Sequence, residues 1–283
     1  MIKLDIENYL RVIPLIQNTD MNTLFALSVL EGKVGGEVYV DDLATPKSFY
    51  IQHSYGMAFL YGVTSKEEFY VLLKTHMLNL NNERIKFEWL QVYPPSLYSK
   101  IDAMLGDKLI KKKLNEPYDQ SYLPEEEKKV LEYQRINFAF HKDKFLEFKK
   151  SLVNKNCRIV TTSEGIFNQL EGSVIPKYFW KDSREFMNHG IGYTLLLEND
   201  FPASTAFSSY LIEDKLEIGI ETHSKYHGRG FAPYVCSKLI DYCMEHGYEP
   251  VWSCNSGNIG SRKLAHKLGF EEVKRVPYYR LPI

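Results

Sequence analysis

The sequence predicts an α+β protein. Its second half should form a mixed, mostly antiparallel sheet with one parallel β-loop-α-β unit, and a second α/β domain should precede it. Three observations predict this. "IGYTLLLEND", "ASTAFSSYLIED" and "LEIGIETH" are three consecutive strands with turns at Asn199-Asp200 and Glu213-Asp214-Lys215, the pattern of an antiparallel meander. "LEIGIETH" then runs through a glycine turn and a helical stretch into "PVWSCN", and such a crossover makes its two strands parallel, with a right-handed connection. The first half has a similar order of strands, helix, strand, helix, strand. A length of 283 residues accommodates two domains, divided here as 1–150 and 151–283.

In chain order, "GEVYVDD" and "KSFYIQHSYGMAFLYG" supply two or three strands rich in β-branched and aromatic residues. Ser65-Lys66-Glu67-Glu68 has the spacing of a capping box before "FYVLLKTHMLNL", which would place Phe69, Leu72, Leu73, His76 and Leu80 on one helical face. "IKFEWLQVYP" is a strand stopped by Pro94-Pro95, and "SLYSKIDAML" a helix closed by Gly106. Lys108 to Lys129 is polar and reads as an exposed connection, with Lys111-Lys112-Lys113 as a solvated basic run. "RINFAFHKDKFLEFK" is a strand followed by a helix. The second half opens near Cys157 with a mostly helical stretch broken at Gly172 and Pro176. Asp182 or Ser183 should cap a short helix ending at Gly190. After the meander, a helix from Phe231 to His246 stops at Gly247 and buries Val235, Leu239 and Cys243 at i, i+4, i+8. "SRKLAHKL" is a helix ended by Gly269, and "FEEVKRVPYYRL" closes the chain as a strand.

Composition excludes several classes. There are 35 basic and 36 acidic residues, for a net charge of −1, so no basic face for nucleic acid is expected. No apolar run is long enough to span a membrane, and the charged N-terminal stretch is not a signal peptide. Cys157, Cys236, Cys243 and Cys254 lack metal-knuckle or Cys-x-x-Cys spacing, so no metal is expected and reduced thiols in the cytoplasm are.

The chemistry is concentrated in "HSKYHGRGFAPYVCSKL". Gly228 and Gly230 strip side chains from the backbone just before a helix, whose first amides and positive dipole end suit a phosphate. Lys225 and Arg229 add cationic donors. The dinucleotide fingerprint fails because position 233 is Pro, the P-loop pattern is not matched either, and a tight strand-to-helix turn alone could also demand these glycines.

The run Lys225-Tyr226-His227-Gly228-Arg229-Gly230-Phe231-Ala232 resembles the coenzyme A pyrophosphate loop of the GNAT acetyltransferase superfamily, with Lys225 at the usual Arg/Gln position. "NIGSRKLAHKLGF" is similar to that family's closing motif at Asn258, Ser261, Leu264, Gly269 and Phe270. The resemblance covers roughly residues 155–283 and extends to the branch containing the zwittermicin A resistance acetyltransferase. It implies a GNAT fold and acetyl-CoA as acetyl donor, with CoA as product. The acceptor would be a primary amine of a small molecule, an antibiotic or a metabolite. A non-catalytic CoA-binding protein and a protein lysine or N-terminal acetyltransferase remain as alternatives. The first half would be a degenerate copy of the fold.

By the same resemblance, amides near Thr222 and His223 would polarise the thioester carbonyl. Lys225, His227, Gly228, Arg229, Gly230, Phe231 and Ala232 would hold the pyrophosphate, and Asn255, Asn258 and Ser261 would follow the pantetheine arm. Glu221, on the strand that should splay, is the candidate general base, with His223 as its substitute; either could instead be a plain strand or loop residue. The usual thiolate-protonating Tyr is replaced by Ala265, leaving Tyr278, Tyr279, His266 and Cys254 as substitutes by sequence proximity only. Trp252 reads as core, and "YFW" at 178–180 as either acceptor wall or packing.

Overall fold

The computed structural model describes residues 1–17, 19–114, 116, 124–152 and 158–283. Two compact units emerge, and they do not follow a single cut at 150/151. One comprises Met1–Asn137, Cys254–Ile259 and Lys274–Ile283, the other Phe138–Ser253 and Gly260–Val273. The cut fails because a contiguous boundary presumes that each half finishes its own sheet, and the last strand does not stay in the second half.

In the first unit the order is β1 (Ile2–Lys3), α1 (Ile13–Ile16), α2 (Leu24–Leu30), β2 (Gly36–Val40), β3 (Phe49–His53), β4 (Met57–Tyr61), α3 (Glu67–Met77), β5 (Glu88–Tyr93), α4 (Leu97–Leu105), β6 (Leu109–Lys111) and β7 (Val130–Phe140). β1 through β4 pair antiparallel in sequence, β4 pairs β5 in parallel around α3, and β6 pairs β7 in parallel. β6 lies inside the stretch expected to be a plain exposed connection, of which residues 115 and 117–123 lie outside the described residues. Of the basic run there, Lys111 pairs with Asp102 at 2.7 Å, and Lys112 with Glu116 at 3.1 Å and with Glu126.

Two local expectations are corrected. α3 starts at Glu67 with Lys66 as its N-cap and no side-chain cap bond, so the Ser65–Glu68 box does not form. Thr64 Oγ1 takes the Lys66 amide instead, and Lys66 Nζ reaches Asp42 at 2.6 Å. The buried face of α3 is Phe69, Tyr70, Leu73 and Met77, while Leu72 and Leu80 are exposed. That face packs with Tyr50, Leu60, Leu90, Val92 and Ile101 into the unit's core.

The second unit continues with α5 (Lys142–Ser151), β8 (Arg158–Thr161), α6 (Glu164–Gln169), α7 (Ser183–His189), β9 (Gly192–Leu196), β10 (Pro202–Ile212), β11 (Lys215–Thr222), α8 (Ala232–His246), β12 (Glu249–Asn255), α9 (Ile259–Lys267) and β13 (Phe270–Leu281). Cys157 lies outside the described residues. β8, β9, β10 and β11 pair antiparallel, and β11 pairs β12 in parallel, as the crossover required. The terminators read from the sequence are present. Asp182 accepts the Glu185 amide at 2.9 Å, and Gly247 closes α8 in the left-handed region at φ 77°. Val235, Leu239 and Cys243 are fully buried. The end of β13 belongs to the first unit, where Tyr279, Arg280 and Leu281 lie opposite Leu90, Trp89 and Glu88 of β5. Among the described residues no helix is long and apolar enough to cross a membrane.

Candidate active site

β11 and β12 stay in register only at Lys215, Leu216 and Glu217, opposite Glu249, Pro250 and Val251. Beyond that point β11 runs on to Thr222 and β12 to Asn255 with no further paired residues between them, so the strands splay. Ser253 Oγ donates to the buried Glu217 carboxylate at 2.6 Å, just past the fork. On its other edge β11 remains zipped to β10, and the His223 amide donates to the Ala203 carbonyl at 2.9 Å. Backbone groups alternate between strand edges, so the Thr222 amide faces the splayed side and the His223 amide does not. This corrects the expectation for the His223 amide, which is already used within the sheet.

The glycine turn follows directly. Gly228 and Gly230 have φ values of 76° and 75°, in the region that favours glycine. A Cβ on Gly228 would meet nothing within 4 Å, so the turn is open as well as bare. α8 then begins at Ala232 with Pro233 in its first turn, no side-chain cap bond at Phe231 and no acidic residue in that turn. An uncapped, unneutralised helix N-terminus behind two bare glycines fits a pyrophosphate. Lys225 and Arg229 are exposed on the turn. His227 is otherwise engaged: its ring Nε2 lies 2.6 Å from the Thr222 carbonyl and holds the strand end. Ser261 accepts the indole N–H of Trp252 at 3.1 Å, while Asn255 Oδ1 accepts the Gly257 amide at 2.8 Å. Asn255 and Asn258 fall in the first unit, whereas the turn lies in the second, so the structure does not gather all the expected cofactor residues in one unit.

A second feature lies in the second unit alone. Gln169 at the end of α6 with Leu170 and Glu171 after it, Phe201 to Thr205 at the entry to β10, Glu221 of β11 and His223 just beyond that strand enclose a cleft of about 150 Å³. Glu221 is there as expected, but one of its oxygens is committed. Oε2 accepts the amides of Ser173 and Val174, both at 2.8 Å, and the Ser173 hydroxyl at 3.3 Å. His223 accepts the Lys225 amide on Nδ1 at 3.3 Å, which leaves the ring hydrogen of the neutral form on Nε2 and no open lone pair.

Sequence reading missed the aromatic group around this end of β11. Tyr226 and Phe201 lie 5.8 and 5.1 Å from the His223 ring, and the Arg229 guanidinium sits 5.2 Å over Tyr226. The available signal was a Tyr inside the glycine turn. Of "YFW", Phe179 packs on Phe207 and Tyr210 and the buried Trp180 donates to the Ser208 carbonyl at 2.7 Å, so these two are packing residues, whereas Tyr178 is exposed. Ala265 is fully buried. Among the substitutes for the absent Tyr, burial raises the Tyr279 phenol well above its ordinary range, and Tyr278 is stacked on Trp89 at 4.8 Å, both in the first unit. His266 Nδ1 lies 3.1 Å from the Phe270 carbonyl, and Cys254 is buried and forms no disulfide.

The family model for GNAT acetyltransferases matches residues 14–279. The chain belongs to the GNAT acetyltransferase family. A curated relative, the uncharacterized N-acetyltransferase YdfB of Bacillus subtilis (strain 168), is 28% identical over 256 residues, covering 90% of this chain and 89% of that protein. Among solved structures, a GCN5-related N-acetyltransferase-like protein from Streptococcus suis superposes with a TM-score of 0.68 at 19% identity, covering 98% of this chain and 100% of the other. A tandem GNAT protein from the clavulanic acid biosynthesis pathway has a TM-score of 0.57 at 10% identity, covering 99% and 97%. At these identities the structural likenesses establish the fold. The match from residue 14 onward places both halves of this GNAT acetyltransferase within one family model.

Proposed function

We infer that this GNAT acetyltransferase transfers an acetyl group from acetyl-CoA to a primary amine of a small molecule, an antibiotic or a metabolite, received in the cleft between the 169–171 wall and β11. The observation that carries this reading is the fork of β11 and β12 beside an open, uncapped helix N-terminus. When bound, acetyl-CoA supplies the activated acetyl group. The turn at 228–232 binds its pyrophosphate, and the Thr222 amide is a donor for the acetyl oxygen. Glu171 lines the cleft with no Lys or Arg among its walls, which favours a cationic acceptor. The ammonium gives one proton to water before the amine attacks the acetyl carbonyl; as the C–S bond breaks the nitrogen loses a second proton, which balances the one taken up by the sulfur that leaves as the CoA thiol. Cys236, Cys243 and Cys254 are buried and form no disulfide, which suits a reducing compartment such as the cytoplasm. The likeness of "EIGIETH…GRGFA" and "PVWSCNSGN" to the zwittermicin A resistance branch supports an antibiotic as acceptor.

The first unit is read as a copy of the same fold that no longer binds cofactor. It has the same antiparallel meander, crossover helix and parallel strand. Its β4 and β5 stay paired over five positions, from Met57 opposite Trp89 to Tyr61 opposite Tyr93, so no fork opens. Glu67 and Glu68 occupy the first turn of α3, where a carboxylate opposes an incoming phosphate.

Two measurements test the assignment. Thiol release from acetyl-CoA over a panel of small amines should show turnover; CoA binding without release would favour a non-catalytic CoA-binding protein, and acetylated proteins in mass spectra would favour a protein acetyltransferase. Gly230→Val should raise the CoA dissociation constant at least about tenfold, roughly 1.4 kcal/mol. Unchanged affinity in calorimetric titration of the folded variant removes the phosphate-turn assignment.

A further inference from the structure

We propose that Glu221 is a positioning residue that fastens the acceptor wall, so that it sets amine recognition without acting as the base. This rests on the reading of the cleft as the amine site. The wall Gln169–Glu171 leads into a segment without regular structure from 170 to 175. Such a segment must find partners for its backbone groups elsewhere, or pay for leaving them exposed or unmade. Its amides at Ser173 and Val174 both donate to Glu221 Oε2 at 2.8 Å, and from the other side Lys177 Nζ donates to the Asn168 carbonyl at 2.6 Å. The wall is thus tied at both ends, by a carboxylate on amides and by an ammonium on a carbonyl.

Gly172 is built for the same contact. Its φ is 137°, and an ideal Cβ there would stand 2.6 Å from Glu221 Cγ and Cδ. Only glycine allows the segment to lie this close against the carboxylate. Bonds from amides to a charged carboxylate are stronger than neutral ones, so the latch holds the segment firmly. With the latch closed, Glu171 is kept at the cleft with its charge available to an ammonium.

Glutamine separates this role from general-base catalysis. Its side-chain carbonyl still accepts both amides but takes up no proton, whereas alanine removes the latch. Glu221→Ala and Gly172→Ala should each raise KM for the acceptor amine about tenfold or more, with kcat changed less than about threefold and CoA affinity unchanged. Glu221→Gln should restore KM towards wild type with the pH–rate profile in place. Hydrogen exchange provides a readout independent of turnover: the Ser173 and Val174 amides should be protected in wild type and Glu221→Gln and should exchange freely in Glu221→Ala. A drop of kcat by 10²- to 10⁴-fold in Glu221→Gln, with loss of the acidic limb of the pH–rate profile, would identify a general base and overturn the proposal. Unprotected amides in wild type, or an unchanged KM in Glu221→Ala, overturn it as well. A wild-type chain that acetylates no amine refutes the cleft assignment instead, and the exchange data then report on the latch alone.

Discussion

Trp252→Ala should destabilise the second unit by about 3–5 kcal/mol, the range for truncating a buried Trp. Trp252 is 2% exposed on β12 and its ring lies 5.6 Å from that of Phe270. Removing the indole takes away apolar burial and leaves a cavity that β12 and β13 cannot close without losing their sheet positions. It also removes the indole N–H that the Ser261 hydroxyl accepts at 3.1 Å. Trp252→Phe retains most of the ring volume and loses that bond, so its cost should be nearer 1–2 kcal/mol. Urea unfolding of both variants, followed by far-UV circular dichroism, measures the difference. A loss under about 1 kcal/mol for the alanine variant would show that the residue is not a core element. Because Ser261 lies on α9 and was expected along the cofactor path, CoA affinity should be measured on the phenylalanine variant, where the fold is retained.

Much of the second unit was legible because its signals are local. Three short strand-like runs separated by the turns at 199–200 and 213–215 mark the meander, and the glycines at 190 and 247 end helices at the positions where the sequence places them. The glycine turn was legible for the same reason: bare backbone before a helix has few uses. The fork between β11 and β12 was expected only through the family resemblance, since the number of paired residues depends on tertiary packing that no run of residues encodes. The Glu221 latch joins positions 48 apart in sequence, and its only trace was an isolated Gly172, read as a helix breaker. The return of Tyr279–Leu281 to β5 was hidden because the closing strand has the pattern of any half-buried strand, and pattern does not name a partner. The false capping box shows the opposite failure. Ser65 and Glu68 have the right spacing, yet Thr64 and Asp42 offer Lys66 better-placed bonds.

Lowering the pH from about 6.5 to about 4 should weaken the first unit by about 3 kcal/mol through His53 alone. His53 ends β3, is 1% exposed, and accepts the Tyr55 amide on Nδ1 at 2.9 Å. Burial, aided by the charge of Lys86, pushes its pKa from 6.5 to about 4. The sign follows from which state takes up the proton. Above pH 6.5 the ring is neutral in both folded and unfolded chains, and His53 contributes no pH dependence. Between 6.5 and 4 the unfolded chain binds a proton that the folded chain refuses, so stability falls by about 1.4 kcal/mol per pH unit. Below about 4 both forms are charged and the dependence levels off. Asn at this position offers an oxygen to the Tyr55 amide and has no proton to gain, so His53→Asn should flatten the stability curve across this window. The range from pH 7 to 5 is the cleanest to measure, because most carboxylates remain ionised there. Two readings check the prediction: the imidazole resonances of the folded protein should stay in the neutral position down to about pH 5, and the fall in melting temperature from pH 7 to 5 should be smaller in His53→Asn than in wild type. Equal slopes in the two proteins, or a folded-state titration near 6.5, would show that the ring is not held neutral by its burial.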